Sequence, residues 1–177
     1  FNLQEIRRRV RRCTGGFHHE DVLVQLRDRA CGPEPAAAHD RDPIAQAEQT
    51  PLAQLPEALQ PPAFDMYVNA GANAVKILQS LLNEMGFDIQ VDGALGPQTV
   101  AAAHQAAVRD PLLLADAYGI ARRNYYYRLA DTRPASRKFA RTRDGGKGGW
   151  ILRAEEYISP RFHLTIAEHR DRCAAWG

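Results

Sequence analysis

The chain has 177 residues, 45% hydrophobic and 25% charged, with 23 Lys and Arg against 21 Asp and Glu. This length suits one ordinary domain, or one domain with an appended module, and three cysteines are too few for a disulfide scaffold. A negative mean hydropathy and the absence of any run near 18 apolar residues exclude a membrane-embedded chain, and the hydrophobic content excludes disorder along the whole length.

The small net charge of +2 hides a segregation: residues 1–12 carry +4, residues 13–117 carry −9 and residues 118–177 carry +7. A basic end of this kind fits an anionic polymer as partner, nucleic acid or bacterial wall, and fits equally well arginines that decorate solvated helix faces. Cys13, Cys31 and Cys173 are odd in number and form no CxxC. A Cys13–Cys31 bridge is open, its geometry not being readable from sequence. His18, His19 and Glu20 near these cysteines, with His39, match no standard zinc spacing, so neither metal nor cofactor is expected. No apolar signal-peptide core is visible and the chain begins with Phe, so the sequence assigns no localisation or export route.

In chain order, residues 2–12 read as a basic amphipathic helix with Leu3, Ile6 and Val10 on one side, ended by Thr14-Gly15-Gly16. A second helix is predicted from about Glu20 to Ala30. Seven prolines between Gly32 and Pro62 predict mostly loop. The clearest predicted helix runs from about Ala63 to Met85, with Phe64, Tyr67, Val68, Gly71, Val75, Leu78 and Leu82 on one stripe. Asp65, Asn69 and Asn73 repeat on another face, and Gly86 stops the helix.

Asp92-Gly93 marks a tight turn and Gly96-Pro97 a helix start leading into Val100 to Val108. A long helix is predicted from Pro111 to about Ala130, with Leu113, Leu114, Ala117, Ile120 and Ala121 inside and Tyr125, Tyr126 and Tyr127 near its end. Residues 131–149 read as a basic, Gly-rich loop. Helices from Gly149 to Ile158 and from about Pro160 to Ala175 complete the chain. The expected fold class is all-α with room for minor β.

Three blocks in order are specific. The first is Leu55-Pro56 followed by Pro62-Ala63-Phe64-Asp65-Met66-Tyr67-Val68-Asn69-Ala70-Gly71 and Ala74 to Gln79; the second is Asp92 to Thr99; the third is Gly149-Trp150-Ile151-Leu152-Arg153. Together, over about residues 52–158, they resemble the C-terminal half of glycoside hydrolase family 108, the phage endolysin and secretion-activator muramidases, including its predicted peptidoglycan-binding part. The resemblance implies a mainly helical, lysozyme-like body that binds peptidoglycan glycan strands. In active members it implies hydrolysis of the β-1,4 bond between N-acetylmuramic acid and N-acetylglucosamine. Residues 1–62 then form a degenerate or divergent N-terminal lysozyme-like segment and residues 63–177 the peptidoglycan-binding-like region, the two making one compact unit.

A sugar polymer offers hydroxyls, acetamido groups and flat ring faces, so its groove needs amide and carboxylate partners together with aromatic platforms. Asp65, Asn69, Asn73, Tyr125, Tyr126 and Trp150 supply both kinds and are the candidate substrate-binding residues. The same residues have structural readings beside this one: Trp150 and a Tyr as core, Asp65 as the residue orienting the Pro-rich loop.

The family's catalytic Glu, in a Glu-Gly-Gly-Tyr run, corresponds here to Thr14 in Cys13-Thr14-Gly15-Gly16-Phe17. A threonine hydroxyl cannot serve as the general acid, which must be a carboxyl with a raised pKa. Glu20, one turn on, is the candidate replacement, with Asp21 or Asp28 as second carboxylate; its plain alternative is an exposed acid near a helix start. Two main readings stand: an N-acetylmuramidase, or a catalytically silent relative that binds the wall or serves as a phage structural part. Whether the chain is an enzyme therefore stays open. A third, nucleic-acid binding by the Arg-rich ends, lacks any recognised module, and nucleic acid is not the expected partner. Oligomeric state is not assigned.

Overall fold

The computed structural model describes residues 51–177. The expected helices over 2–12 and 20–30, together with Thr14, Glu20, Cys13 and Cys31, lie outside the described residues. Among the described residues the fold is all-α, as expected. It comprises helices α1 (Gln60–Ala70), α2 (Asn73–Glu84), α3 (Pro97–Ala107), α4 (Pro111–Thr132), α5 (Arg137–Ala140), α6 (Gly149–Glu155) and α7 (Ile166–Cys173), with short 3-10 turns between. The sole β pairing among these residues is an isolated antiparallel bridge between Arg141 and Lys147.

The sequence punctuates most of these helices. Proline stands in the first turn of α1, α3 and α4, where its missing N–H costs nothing. The Asp110 side chain accepts a hydrogen bond from Leu113 N at 2.9 Å and so caps α4. At α7, Thr165 and Glu168 form a reciprocal capping box.

The single helix expected over 63–85 is two. Gly71 adopts φ 56°, in the left-handed region that favours glycine, and breaks the chain between α1 and α2. The break turns α1 out of the expected register. Ala63 and Met66 reach the core, whereas Tyr67 and Val68, expected inside, are 46% and 67% exposed. Asn73 consequently opens a different helix from the one carrying Asp65 and Asn69.

Three smaller expectations are also corrected. The stretch 131–149 is not all loop: it contains a 3-10 turn at Pro134–Ser136 and α5. The Gly-Trp helix ends at Glu155 rather than Ile158. The final helix begins at Ile166, because Pro160–Phe162 forms a separate 3-10 turn and the capping box sets a new start.

Helix α4 is central and packs against α1, α2, α3, α5 and α6. Leu114, Ala117, Tyr118, Ile120, Tyr126, Tyr127 and Ala130 are all buried, so its apolar residues do not form one stripe. From the Pro-rich side, Leu52, Leu55 and Leu59 enter the same core as Leu78, Leu81 and Leu82 of α2. Each fully buried Leu contributes about 1.5–3 kcal/mol of transfer free energy. No helix among the described residues is long and apolar enough to cross a membrane.

Candidate functional site

Asp65 is buried, and its carboxylate lies between two arginines. Arg122 Nη2 donates to Oδ2, while Arg153 donates from Nε at 2.9 Å and from Nη2 at 2.5 Å to Oδ1. Arg122 is fully buried, whereas the Arg153 side chain is 53% exposed. Burial alone would push the Asp65 carboxyl up, but the Arg153 hydrogen bonds and the Arg122 charge outweigh it and hold the group below the usual carboxylate range. Asp65 is thus a fixed anion, the opposite of what a general acid needs. The pairing joins the first sequence block to the third, Arg153 being the last residue of the Gly-Trp segment.

A second buried anion does similar work. Glu155 accepts from Arg123 Nη1 at 2.9 Å, from Leu164 N at 2.9 Å and from Lys147 Nζ, so α4, α6 and the chain on either side of α6 meet at one carboxylate. Burial raises its pKa, and these donors more than reverse the effect. Four basic residues of the C-terminal end, Arg122, Arg123, Lys147 and Arg153, are thereby engaged by these two carboxylates.

The Asp92-Gly93 turn is held by Gln79, which is buried and which the sequence marks only as part of the first block. Gln79 Nε2 donates to Asp92 Oδ1 at 2.8 Å and to Ala94 O at 3.0 Å, and Gly93 N donates back to its Oε1 at 2.9 Å. The turn acts as a brace between α2 and the start of α3.

Aromatic residues form a ladder near α6. Trp150 stacks on Tyr126 and on Phe139, each at 5.0 Å between ring centroids. Tyr126 is buried, with its hydroxyl near Arg122 and Met66 Sδ, and Phe139 is the exposed ring of the set. Gly148 makes this packing possible: a Cβ there would lie 2.5 Å from Phe139 O. At the other end of the chain, His169 Nε2 bonds Gly146 O at 3.0 Å. Since a carbonyl only accepts, Nδ1 is the acceptor for Tyr127 Oη at 2.7 Å, and burial holds the imidazole below its ordinary pKa.

An open cleft of about 190 Å³ lies between α2 and α4. Asn73, Lys76, Ile77, Ser80, Leu81 and Glu84 line it from α2, and Ala121, Asn124, Tyr125 and Arg128 from α4. Of the residues expected to bind sugar, the cleft brings together Asn73 and Tyr125. Asp65 is committed to its arginines. Asn69 is exposed on α1 and donates to Asp65 O at 2.7 Å, and Tyr126 and Trp150 belong to the ladder. Sequence reasoning missed Lys76, Ser80, Glu84, Asn124 and Arg128. A signal existed, since Asn73, Lys76, Ser80 and Glu84 recur at three- and four-residue steps along α2.

Chemically, the cleft offers amides, hydroxyls and charges above an apolar floor. Glu84 is the one carboxylate in its lining, whereas glycoside hydrolysis ordinarily uses two. Among the described residues no group of three or more His, Cys, Asp or Glu could hold a metal ion.

Residues 73–155 match a family model described as "Predicted Peptidoglycan domain". The match covers just under half of the chain and supports association with peptidoglycan, and through it with the cell wall. It takes in the second and third blocks, the Gln79 brace and every residue lining the cleft. No curated protein and no solved structure matches the chain.

Proposed function

We propose that the chain binds peptidoglycan through the α2/α4 cleft, with Asn73, Ser80, Asn124 and Tyr125 as its hydrogen-bonding groups and Ile77, Leu81 and Ala121 beneath the sugar ring. The observation that carries this reading is the coincidence of the open polar cleft with the matched segment: all its lining residues fall within 73–155. Pockets for drug-sized ligands run from about 300 Å³ upward, so this smaller cleft suits a single sugar unit with the rest of the strand outside it. Purified peptidoglycan sacculi should co-sediment with the protein, and Asn73→Ala or Tyr125→Ala should weaken this by about tenfold while circular dichroism stays unchanged. Lack of co-sedimentation by the wild type would refute the reading.

The resemblance to glycoside hydrolase family 108 supports a finer reading, in which the protein is an N-acetylmuramidase with Glu20 as general acid. New reducing ends released from sacculi by wild type, and lost in Glu20→Gln, are the outcome expected of that enzyme. Product from Thr14→Glu but none from wild type would instead mark a silent relative that keeps its groove.

A further inference from the structure

We infer that the cleft selects an acidic sugar unit, one carrying a carboxylate beside its acetamido group, with Arg128 as the principal selector and Lys76 as the second. This rests on the peptidoglycan reading and names the part of the polymer that the cleft takes.

A neutral amino sugar has only hydroxyls and an acetamido group to satisfy, and Asn73, Ser80, Asn124 and Tyr125 already supply donors and acceptors for these. The positive charge of the two cations in the lining is not required to bind such a ligand. Nor do they serve the fold as their neighbours do. Arg122, Arg123, Arg153 and Arg172 are each held by a carboxylate. Arg128 has no side-chain hydrogen bond or salt bridge among the described residues, although it lies on the same helix as Arg122 and Arg123.

Lys76 also makes no salt bridge among these residues; its stem runs beside the Gly93 backbone and its charge helps to lower the Asp92 pKa. Arg128 is therefore the cation more available to a ligand. With Glu84 as the single anion of the lining, the cations outnumber it. A guanidinium offers the planar fork that matches a carboxylate through two parallel hydrogen bonds.

In peptidoglycan such a carboxylate comes from two sources: the lactyl group of muramic acid where no peptide is attached, and the peptide stem where one is. Titration of the protein with N-acetylmuramic acid, muramyl dipeptide and N-acetylglucosamine separates them. At low salt, at least one carboxylate ligand should bind about fivefold more tightly than N-acetylglucosamine, with the advantage shrinking as salt is added. The better of the two acidic ligands identifies the source. Arg128→Gln should remove most of the advantage, Lys76→Gln a smaller part, and Arg128→Lys should restore some of it.

Equal binding of the acidic and neutral ligands by wild type overturns the inference, as does an advantage that survives Arg128→Gln and Lys76→Gln together. Sacculus binding without charge preference would sink this inference and leave the wall reading standing. A preference for the acidic ligands without sacculus binding would do the reverse.

Discussion

Arg122 and Arg128 stand on one helix, less than two turns apart, and meet opposite fates. Arg122 is fully buried against Asp65 and the ring of Tyr126, whereas Arg128 lines an open cleft. At about 100° per residue their directions differ by about 240°, so α4 turns one toward α1 and the other toward α2. A third direction carries Arg123 and Tyr127 toward Glu155 and His169. The same residue types thus become structural or available to a ligand according to the face of α4 they occupy. The buried anions Asp65 and Glu155 stay fixed because each is held by two cations, and the cleft stays open because its polar groups face solvent.

The largest expected effect is on the closed side. Asp65→Ala leaves Arg122 buried without its counterion, a change that typically costs about 3–5 kcal/mol, and urea denaturation should show a loss of this size. Arg153→Gln should cost less, because the contact of the half-exposed Arg153 is already screened by solvent and Asp65 keeps Arg122 as its counterion. Acid provides a second readout. The folded Asp65 carboxyl sits below its ordinary pKa, so its contribution is present above the unfolded value of about 3.9 and is lost as pH falls through the folded value. Wild-type stability should therefore decline below about pH 4, and Asp65→Asn should flatten that decline. An unaltered acid limb in Asp65→Asn would show that the ion pair contributes nothing net.

These contacts also explain what could be read in advance. The all-α class, the proline helix starts and the Gly86 stop are local features, set by backbone chemistry within a few residues, and they are legible. The α1–α2 break is not, because Gly71 is also acceptable inside a helix, and what places Met66 rather than Tyr67 in the core is the packing of α1 on α4. The three sequence blocks are legible as patterns, but much of their chemistry is structural: Asp65 meets Arg153, Gln79 meets Asp92, and Trp150 meets Tyr126. Each pairing spans more than a dozen residues, so no local pattern reveals that these polar and aromatic groups are already spoken for. The cleft residues are not legible in the sequence for the converse reason. Asn124 and Arg128 look like ordinary solvated helix positions until α2 is set beside them.

A middle-sized effect is expected at the Gln79 brace. Gln79→Ala removes hydrogen bonds to Asp92, Ala94 and Gly93 and should cost about 1–3 kcal/mol. Hydrogen exchange at the Gly93 amide should speed up more than exchange in the middle of α4, since the turn loses its tether while the central helix keeps its packing. Uniformly faster exchange would instead mean that the turn is coupled to the whole fold.

The smallest stability effect belongs to the open side, and it is the sharpest test of the contrast between the faces. Asn124 lines the cleft and is half-buried, and no side-chain hydrogen bond is made by it among the described residues. Asn124→Ala should therefore change folding free energy by no more than about 0.5 kcal/mol. Sacculus binding should nevertheless weaken by about fivefold, the usual worth of one lost hydrogen bond to a ligand. If stability falls and binding does not, Asn124 belongs with Arg122 as a packing residue, and the α2 side of α4 loses its claim to be the face that meets the wall. If binding falls at unchanged stability, one helix has been divided between two tasks by no more than the rotation of its side chains.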